Sequence, residues 1–461
     1  MINKKIVPPI GLLDKYKVIL HNTEPVRSLG EVIEVTGSIV VSKGPDVSLG
    51  ELCHIEKIEN EAYILAEVVG FRENDVLLSP LESITGIYPG CRVLSTGSEP
   101  TIQLAPELLG RIVDGLGRPL DKKARVNSTE VRSFENKPPN PMQRPIIESP
   151  LVTGIRAIDG LLTIGKGQRI GIFSGSGVGK STLLGMIARY SRADVNVIGL
   201  IGERGREVKE FIERELGEAG MKRSVLVVAS SNESPMHRVR AAFLATTIAE
   251  YFRDLGKDVL LMMDSITRLA MAQREVGLAA GEPATTKGYP PSVFSMLPSL
   301  LERAGTSETG SITGIYTVLV EADDLNDPIG DATRGILDGH IVLSRKLASA
   351  GHYPSIDVPE SISRSMPYII EESHLQLAQQ VKQLLAEYKE NEEIIQLGAY
   401  VQGANPVLDL AVKLKPKLDA FLKQDIKEFS NFENTLSQLR NILQEDRPRT
   451  ETIRRGVGVL R

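Results

Sequence analysis

The chain has 461 residues, of which 41% are hydrophobic and 25% are charged, and this size and composition predict a folded protein of roughly two to four domains. Its 54 basic and 59 acidic residues leave a formal net charge of −5, so composition gives no reason to expect nucleic acid as a partner. The cysteines, Cys53 and Cys91, are too few and too far apart for a disulfide framework or a zinc site. We expect a cytoplasmic protein with neither a signal peptide nor a membrane span, because no apolar stretch is long enough for either.

The N-terminal part of the sequence predicts an all-β domain. Between about Thr23 and Ser95, short apolar or alternating runs are separated by Gly, Pro and Asn, a pattern typical of a small β-barrel or β-sandwich. These runs include EVIEVTGSIVVS, AYILAEVVGF and DVLLSP.

An apolar stripe precedes this domain. It contains Ile10, Leu12 and Leu13 and lies in a stretch that is too short to form a core of its own. Exposed apolar patches often mark interaction sites, so residues 1–24 are predicted to be a docking segment for a partner. An arm folded against its own barrel is the alternative.

The middle of the sequence predicts an α/β domain. A proline-rich segment, ENKPPNPMQRP, lies before Ile146 and predicts a linker or a wrapping loop. Beyond it, apolar runs alternate with helical patterns, as in a parallel sheet covered by helices on both faces. The predicted strands are RIGIF, NVIGLIG, SVLVVAS, DVLLMMD, SITGIYTVLV and HIVLS.

The C-terminal part predicts helices. Strand signals fade after Glu371, and the spacing of Val381, Leu384, Leu385 and Tyr388 is helical. We therefore predict an α-helical domain at this end of the chain.

A glycine-rich loop lies between the predicted strand RIGIF and a predicted helix. Backbone N–H groups in such a loop can turn toward phosphate oxygens, and the N-terminal end of the helix adds positive potential. Lys180 supplies a full charge, and the Ser181 hydroxyl would bind the Mg²⁺ that bridges the outer phosphates. The first position carries Ser174, where the motif usually has glycine or alanine. The residues predicted to bind the nucleotide phosphates are Ser174, Gly175, Ser176, Gly177, Val178, Gly179, Lys180, Ser181 and Thr182.

Two carboxylates follow neighbouring apolar runs. Asp264 ends DVLLMMD, where it can hold a water of the magnesium shell, and it can also act as the N-cap of a helix that begins near Ile266. Glu203 comes just after NVIGLIG, at the edge of the sheet where ligands of such folds collect. A carboxylate there can polarise a water molecule, although a single glutamate in a loop is more often only solvated.

Several segments together resemble the rotary ATPase family, and most closely the flagellar and type III secretion export ATPases. The resemblance spans roughly residues 25 to 440 and is carried by GRIVDGLGRPLD, SGSGVGKST, GERGREV, HRVRAAFLATTIAEYFRD, GEPATTKGYPPSVF, ADDLNDPIGDAT and HYPSIDVPESISR. It implies an N-terminal β-barrel over residues 25–97, a RecA-like P-loop core over 98–370 and a C-terminal α-helical domain over 371–461. It also implies that six subunits form a ring.

The resemblance assigns roles to individual residues. Glu203 matches the catalytic glutamate, Lys180 and Ser181 match the phosphate and magnesium groups, and Asp264 matches the acidic residue of the second motif. Arg364 in SISR matches the arginine finger, which is expected to act on the nucleotide of a neighbouring subunit.

Three further residues keep two interpretations. Tyr353 in GHYPSID matches the aromatic that packs on adenine, but a tyrosine before proline can equally be a packing residue. Arg204 could face the nucleotide or form an ion pair, and Arg268 has at most a supporting role.

The predicted function is MgATP hydrolysis by a homohexamer that energises protein export through the flagellar type III secretion apparatus. A virulence-type secretion ATPase and the catalytic β subunit of a rotary ATP synthase are the alternatives. The synthase is disfavoured because Leu397-Gly398 is followed by AYVQGANP, with no acidic residue before Asp409. An RNA motor of the Rho type ranks last because the N-terminal domain lacks an aromatic-rich RNA motif.

The resemblance also implies partners. They are a regulatory stalk-like protein at the N-terminus, a central stalk protein, export-gate membrane proteins and chaperone–substrate complexes, with no nucleic acid. The expected location is the cytoplasmic face of the inner membrane export apparatus.

Overall fold

A computed structural model of the chain describes residues 28–57, 62–320 and 327–444, which divide into two compact units. The described part of the first unit runs up to Pro100 and includes Ser234–His237 and Glu275–Glu282. The second unit contains the remaining described residues. The predicted docking segment, residues 1–24, lies outside the described residues, and the predicted domain boundaries stay predictions.

The first unit contains a closed antiparallel barrel whose strands follow the order β1-β2-β5-β4-β3-β6. Alternate residues point inward, so Val40, Cys53 and Leu78 are completely buried in its interior. Of the two predicted architectures, the barrel is confirmed. Its strands are β1 (Leu29–Thr36), β2 (Ile39–Lys43), β3 (Leu52–Glu56), β4 (Tyr63–Arg72), β5 (Asp75–Pro80) and β6 (Arg92–Ser95).

The second unit is built around a nine-stranded sheet with the order β19-β18-β12-β17-β15-β13-β14-β8, with β16 paired to β17. Two small sheets, β7-β9 and β10-β11, accompany it. The remaining strands are β7 (Thr101–Gln103), β8 (Ile112–Asp114), β9 (Val131–Ser133), β10 (Pro150–Leu151), β11 (Ile164–Gly165), β12 (Arg169–Ser174), β13 (Val195–Glu203), β14 (Ser224–Ser230), β15 (Asp258–Asp264), β16 (Gly305–Thr306), β17 (Ser311–Leu319), β18 (Gly339–Leu343) and β19 (Ile356–Ser363).

The centre of this sheet is parallel, as predicted, and both of its faces are covered. Every residue of β13 is buried, although successive side chains of a strand point to opposite faces. Antiparallel pairs occur only at β16 and β19 within the described sheet. The strand β19 was not predicted, because it contains Pro359, and a proline within such a run argues against a strand.

Helices follow the strands of the sheet and then form the C-terminal part of the described chain. They are α1 (Arg156–Leu161), α2 (Lys180–Tyr190), α3 (Gly205–Glu210), α4 (Gly217–Lys222), α5 (Pro235–Asp254), α6 (Ile266–Ala280), α7 (Pro291–Leu301), α8 (Pro328–Ile336), α9 (Arg345–Ser349), α10 (Met366–Ile369), α11 (Glu372–Glu390), α12 (Glu392–Gln396), α13 (Pro406–Leu422) and α14 (Phe432–Gln444). Short 3₁₀ turns and one π-helical stretch, Phe211–Leu216, complete the described helical elements.

The predicted helical tail begins with α11, which starts one residue after Glu371. Val381, Leu384 and Leu385 are buried on one face of this helix, as their spacing predicted. The Arg156 guanidinium of α1 donates hydrogen bonds to two carbonyl oxygens at the end of α13. These belong to Phe421, in the last turn of the helix, and to Lys423, which directly follows it. These contacts join the C-terminal helices to the sheet-containing part of the same unit.

The proline-rich segment wraps the core. The Arg144 guanidinium donates to the carbonyl oxygens of Glu302 and Ala304, the latter at 3.0 Å. Close by, Arg303 is 1% exposed and forms an ion pair of 2.8 Å with Glu250, and it also donates to the Phe134 carbonyl. Among the described helices, none is both long and apolar enough to cross a membrane.

Candidate functional site

The glycine-rich loop connects β12 to α2, as the sequence predicted. Gly177 and Gly179 have φ values of 79° and 89°, the left-handed region that favours glycine, and α2 begins at Lys180. The positive end of α2 therefore faces the loop, where it can stabilise an anion. Ser176 and Gly177 are exposed, so the loop is accessible to a ligand.

The unusual first residue of the loop does not disturb the strand. Ser174 is 2% exposed and keeps its register with Leu319 of β17 and Leu343 of β18. Its hydroxyl is buried without a hydrogen-bond partner among the described residues. Serine is thus accommodated here as a small buried side chain.

Lys180 lies between the two predicted carboxylates. Its Nζ donates to Asp264 Oδ1 at 2.5 Å and lies 3.6 Å from Glu203 Oε1. The three side chains meet because β13 and β15 are parallel neighbours and end at the same edge as β12. Thr317, which is completely buried on β17, donates to the same Asp264 oxygen at 2.7 Å.

The alternative role of Asp264 as a helix cap is wrong. The side chain that accepts from the first turn of α6 belongs to Ser265, whose Oγ accepts the Arg268 amide hydrogen at 3.3 Å. Asp264 is instead engaged by Lys180 and Thr317.

Glu203 is displaced from regular strand geometry. The register between β13 and β14 shifts between Ile201 and Glu203, so the intervening Gly202 forms a bulge. Burial and the neighbouring Asp264 carboxylate raise the pKa of Glu203 to about 7, against the opposing effect of Lys180. A carboxyl group with this pKa can accept a proton near neutral pH.

Gly202 also leaves room for Arg268. A Cβ atom at Gly202 would lie 2.9 Å from the Cβ of Arg268, and the backbone there has a φ of 71°. The side chain of Arg268 thus packs directly over the residue that precedes Glu203. Sequence analysis did not single out Gly202, although the motif GERGRE contains it.

Lys180, Glu203 and Arg268 line a cavity of about 900 Å³, a size suited to a nucleotide. A second cavity of about 420 Å³ shares Gly177, Gly179 and Thr182 with it and contains Tyr353. The ring of Tyr353 would lie 3.3 Å from a Cβ atom at Gly179, so it packs against the glycine-rich loop. Its predicted contact with adenine stays a prediction.

The other predicted residues are distributed around these cavities. Ser181 is exposed in the first turn of α2, and Thr182 donates to Glu215 Oε1 at 3.1 Å. The Arg204 side chain is 75% exposed and lies 3.5 Å from Glu207. Arg364 directly follows β19, is exposed, and does not line either of the two cavities.

Sequence analysis missed Thr317, the partner of Asp264, which could have been noticed as a polar residue inside an apolar strand. It also gave no role to Arg274, Lys287 and Tyr289, which line the larger cavity. These three residues reach the cavity wall from α6 and from the turn before α7.

The donor set is compatible with magnesium that is bound together with a nucleotide. The Ser181 hydroxyl and the Asp264 carboxylate are hard oxygen ligands of the kind that Mg²⁺ prefers. The described residues contain no cluster of three or more His, Cys, Asp or Glu side chains that could hold a metal ion by itself. Phosphate oxygens and water would therefore have to supply most of the coordination.

The parallel sheet and the strand–loop–helix phosphate site define a P-loop nucleotide-binding protein. Family models give a finer classification. Residues 154–363 match the nucleotide-binding domain of the ATP synthase alpha/beta family, and residues 32–97 match its β-barrel domain. Residues 370–441 match the C-terminal domain of the type III secretion ATPase EscN. The chain belongs to the ATP synthase alpha/beta family, in the branch of the flagellar and type III secretion ATPases.

Individual relatives agree with this classification. The chain is 51% identical over 424 residues to the flagellum-specific ATP synthase of Bacillus subtilis, covering 92% of this chain and 97% of the relative. It is 49% identical over 419 residues to the type 3 secretion system ATPase of Xanthomonas euvesicatoria, covering 91% and 95%.

Solved structures are similar as well. The assembled ATPase EscN from the type III secretion system of enteropathogenic E. coli matches with a TM-score of 0.85 and 49% identity, over 90% of this chain and all of that one. EscN in complex with its central stalk EscO matches with a TM-score of 0.82 and 48% identity. The predicted family and three-part architecture are confirmed.

Proposed function

We propose that this protein hydrolyses MgATP as a homohexameric ring and thereby energises the export of proteins through the flagellar type III secretion apparatus. The observation that carries this proposal is the cluster of Lys180, Glu203 and Asp264, in which Lys180 and Glu203 line a nucleotide-sized cavity. Identity of about half to the flagellum-specific ATP synthases supports the biological role.

The phosphate end of the nucleotide would be bound by the glycine-rich loop, the N-terminus of α2 and Lys180. When Lys180 turns to the phosphates, its hydrogen bond to Asp264 is exchanged for one to a phosphate oxygen. Ser181 and Asp264 would then hold Mg²⁺, whose positive charge helps to neutralise the outer phosphates. Tyr353 would pack on the adenine, next to the loop.

Glu203 would orient the attacking water and accept its proton. This role is supported by its pKa of about 7 and by its position 3.6 Å from the phosphate-binding lysine. The charge that develops on the transferred phosphoryl group needs further stabilisation, which an arginine can supply.

Arg364 would supply that charge to the site of a neighbouring subunit. It is exposed, follows an edge strand and does not line its own nucleotide cavity. EscN, which is similar over 90% of this chain, has been solved as an assembled ATPase. An ion pair within its own subunit is the alternative role for Arg364.

The comparison with EscN supports one of the proposed partners. We propose a central stalk protein in the ring because EscN binds its central stalk EscO. Residues 1–24 would dock a regulatory stalk-like protein, and their deletion should abolish co-purification with it. The other proposed partners are export-gate membrane proteins and chaperone–substrate complexes. The protein would bind them at the cytoplasmic face of the inner membrane.

A virulence-type secretion apparatus is the second candidate. The flagellar and type 3 secretion relatives are similar to this chain to nearly the same degree, at 51% and 49% identity. Deletion of the gene separates the two, because loss of the filament is expected only for the flagellar system.

The hydrolysis proposal is tested with two variants of the purified protein. Lys180→Ala is expected to lose nucleotide binding, because the lysine contacts the phosphates of the ground state. Glu203→Gln is expected to keep binding and lose turnover, because the glutamate acts only on the water. Full hydrolysis by Glu203→Gln would overturn the assignment.

A further inference from the structure

The smaller of the two cavities lies beside the glycine-rich loop. It has a volume of about 420 Å³, and its wall includes Leu183 and Met186 of α2 as well as Tyr353. The segment 424–426, which follows α13, also lines it. Apolar and aromatic side chains of this kind suit a planar base.

The position of Tyr353 in this cavity depends on its backbone. The side chain is 45% exposed, so packing alone does not fix the ring. Its carbonyl oxygen accepts the backbone amide hydrogen of Gln424 at 2.9 Å. Two residues later, the Ser355 hydroxyl donates to the carbonyl oxygen of Val178 in the glycine-rich loop at 2.7 Å. The backbone that carries Tyr353 is therefore held between the loop and the segment 424–426.

Gln424 is buried, and its side-chain amide is hydrogen-bonded on both sides. Its Oε1 accepts the backbone amide hydrogen of Arg156, the first residue of α1, at 2.8 Å. Its Nε2 donates to the carbonyl oxygens of Gly154 and Glu428, each at 2.8 Å. Both amide hydrogens are thus engaged within the protein, and the side chain has one defined orientation.

The turn before α1 that Gln424 contacts is rigid. The Gly154 amide donates to Asp159 Oδ2 at 2.9 Å, and Asp159 is completely buried. A Cβ atom at Gly154 would lie 2.6 Å from the Cβ of Tyr190, so this turn is closely packed against the end of α2. Gln424 therefore connects a rigid part of the core to the backbone of Tyr353.

We propose that Gln424 is a positioning residue for the nucleotide base, because it holds Tyr353 and the segment 424–426 in place before the base enters. This inference rests on the proposed ATP-binding function of the two cavities. The hydrogen bonds that Gln424 forms within the described part of the chain do not reach Lys180 or Glu203. Its replacement should therefore weaken binding of the base and leave the chemical step unchanged.

The test replaces Gln424 in the full-length protein. Gln424→Glu has nearly the same shape, but it places an oxygen opposite the Gly154 and Glu428 carbonyl oxygens and so loses two hydrogen bonds. Calorimetric titration with magnesium and ADP is expected to show binding weakened on the order of tenfold, whereas kcat for ATP should change less than about twofold. Gln424→Met removes the same hydrogen bonds without adding a buried charge, and it is expected to weaken ADP binding to a similar extent.

A double-mutant cycle with Tyr353→Ala separates positioning from general destabilisation. Because Gln424 acts through Tyr353, the double variant should bind ADP no more than about twofold more weakly than Tyr353→Ala alone. Additive losses of ADP affinity in the double variant would overturn the proposal.

A matched control is Gln380→Glu, which makes the same chemical change at an exposed position of α11 that does not line the cavity. It is expected to change neither ADP affinity nor kcat. Unchanged ADP affinity in both Gln424 variants, or a loss of kcat at unchanged affinity, would overturn the Gln424 assignment alone. Failure of the wild-type protein to bind ADP or to hydrolyse ATP would overturn the proposed function as well.

Discussion

Replacement of Glu203 by glutamine is expected to stabilise the nucleotide-free protein, and to do so more at high pH than at low pH. The Glu203 carboxylate is buried beside Asp264, and one lysine serves both acids. Its folded-state pKa of about 7 is above the ordinary value of 4.5, so the folded protein binds a proton more tightly than the unfolded chain does. The resulting stability is present below about pH 4.5 and is lost as the pH rises through about 7.

The size of the effect follows from this displacement. A pKa that moves from 4.5 to about 7 corresponds to about 3 kcal/mol between the two protonation states. Glutamine resembles the protonated glutamic acid, so Glu203→Gln should gain about 3 kcal/mol over wild type at pH 8. At pH 5.5 wild type is mostly protonated at this position in the folded state, and the gain falls to about 1 kcal/mol.

Thermal unfolding of the nucleotide-free protein at the two pH values measures this difference. At roughly 1 °C per kcal/mol for a chain of this length, the variant should melt about 3 °C above wild type at pH 8 and about 1 °C above it at pH 5.5. Glu218→Gln, on an 89% exposed side chain, is the control and should change neither value by more than about 0.5 °C. A gain that is equal at both pH values, or a loss, would refute the electrostatic account of Glu203.

Two further predictions concern Arg364 and Gly202. Mixing Arg364→Ala subunits with Glu203→Gln subunits should restore part of the ATPase activity, because one interface then combines an intact glutamate with an intact arginine. Mixed rings that form and stay inactive, with wild-type activity independent of protein concentration, would contradict action in trans. Gly202→Ala should lower kcat at least tenfold, because its Cβ atom would lie 2.9 Å from the Arg268 Cβ and displace the adjoining Glu203. Gly205→Ala is the matched control, with open space around its added Cβ, and a kcat as low as that of Gly202→Ala would contradict the steric argument.

The sequence predicted the centre of the sheet well and its edges poorly. Strands such as β13 and β15 are buried on both faces and appear as continuous apolar runs, which few other structures produce. The edge strand β19 contains Pro359 and exposes Ile362, so its sequence resembles a loop. The short strand β8 has only three residues, and its pairing with β14 depends on tertiary contacts that no local pattern encodes.

The sequence predicted those residues of the candidate site that belong to short continuous motifs, but not the contacts between residues that are far apart in the chain. The glycine-rich loop is one continuous motif, and Asp264 and Glu203 end apolar runs that the sequence places at one sheet edge. The hydrogen bond from Thr317 to Asp264 joins residues that are 53 positions apart, and it follows from the order of the strands rather than from any motif. The approach of Lys287 to the cavity likewise depends on a strained turn whose conformation the sequence TTKG does not reveal.

The structure also shows that the charged residues do not act independently in the nucleotide-free protein. One ammonium group, Lys180 Nζ, is hydrogen-bonded to Asp264 and lies within 3.6 Å of Glu203. Burial and the Asp264 carboxylate raise the pKa of the glutamate, and Lys180 opposes them only in part. A phosphate that takes up Lys180 must therefore break a 2.5 Å hydrogen bond and leave two neighbouring carboxyl groups without their counter-charge. The protonated form of Glu203 lowers the electrostatic cost of that exchange, whereas the ionised form is needed for its proposed role with water. A pKa near neutrality is what allows one carboxyl group to serve both stages.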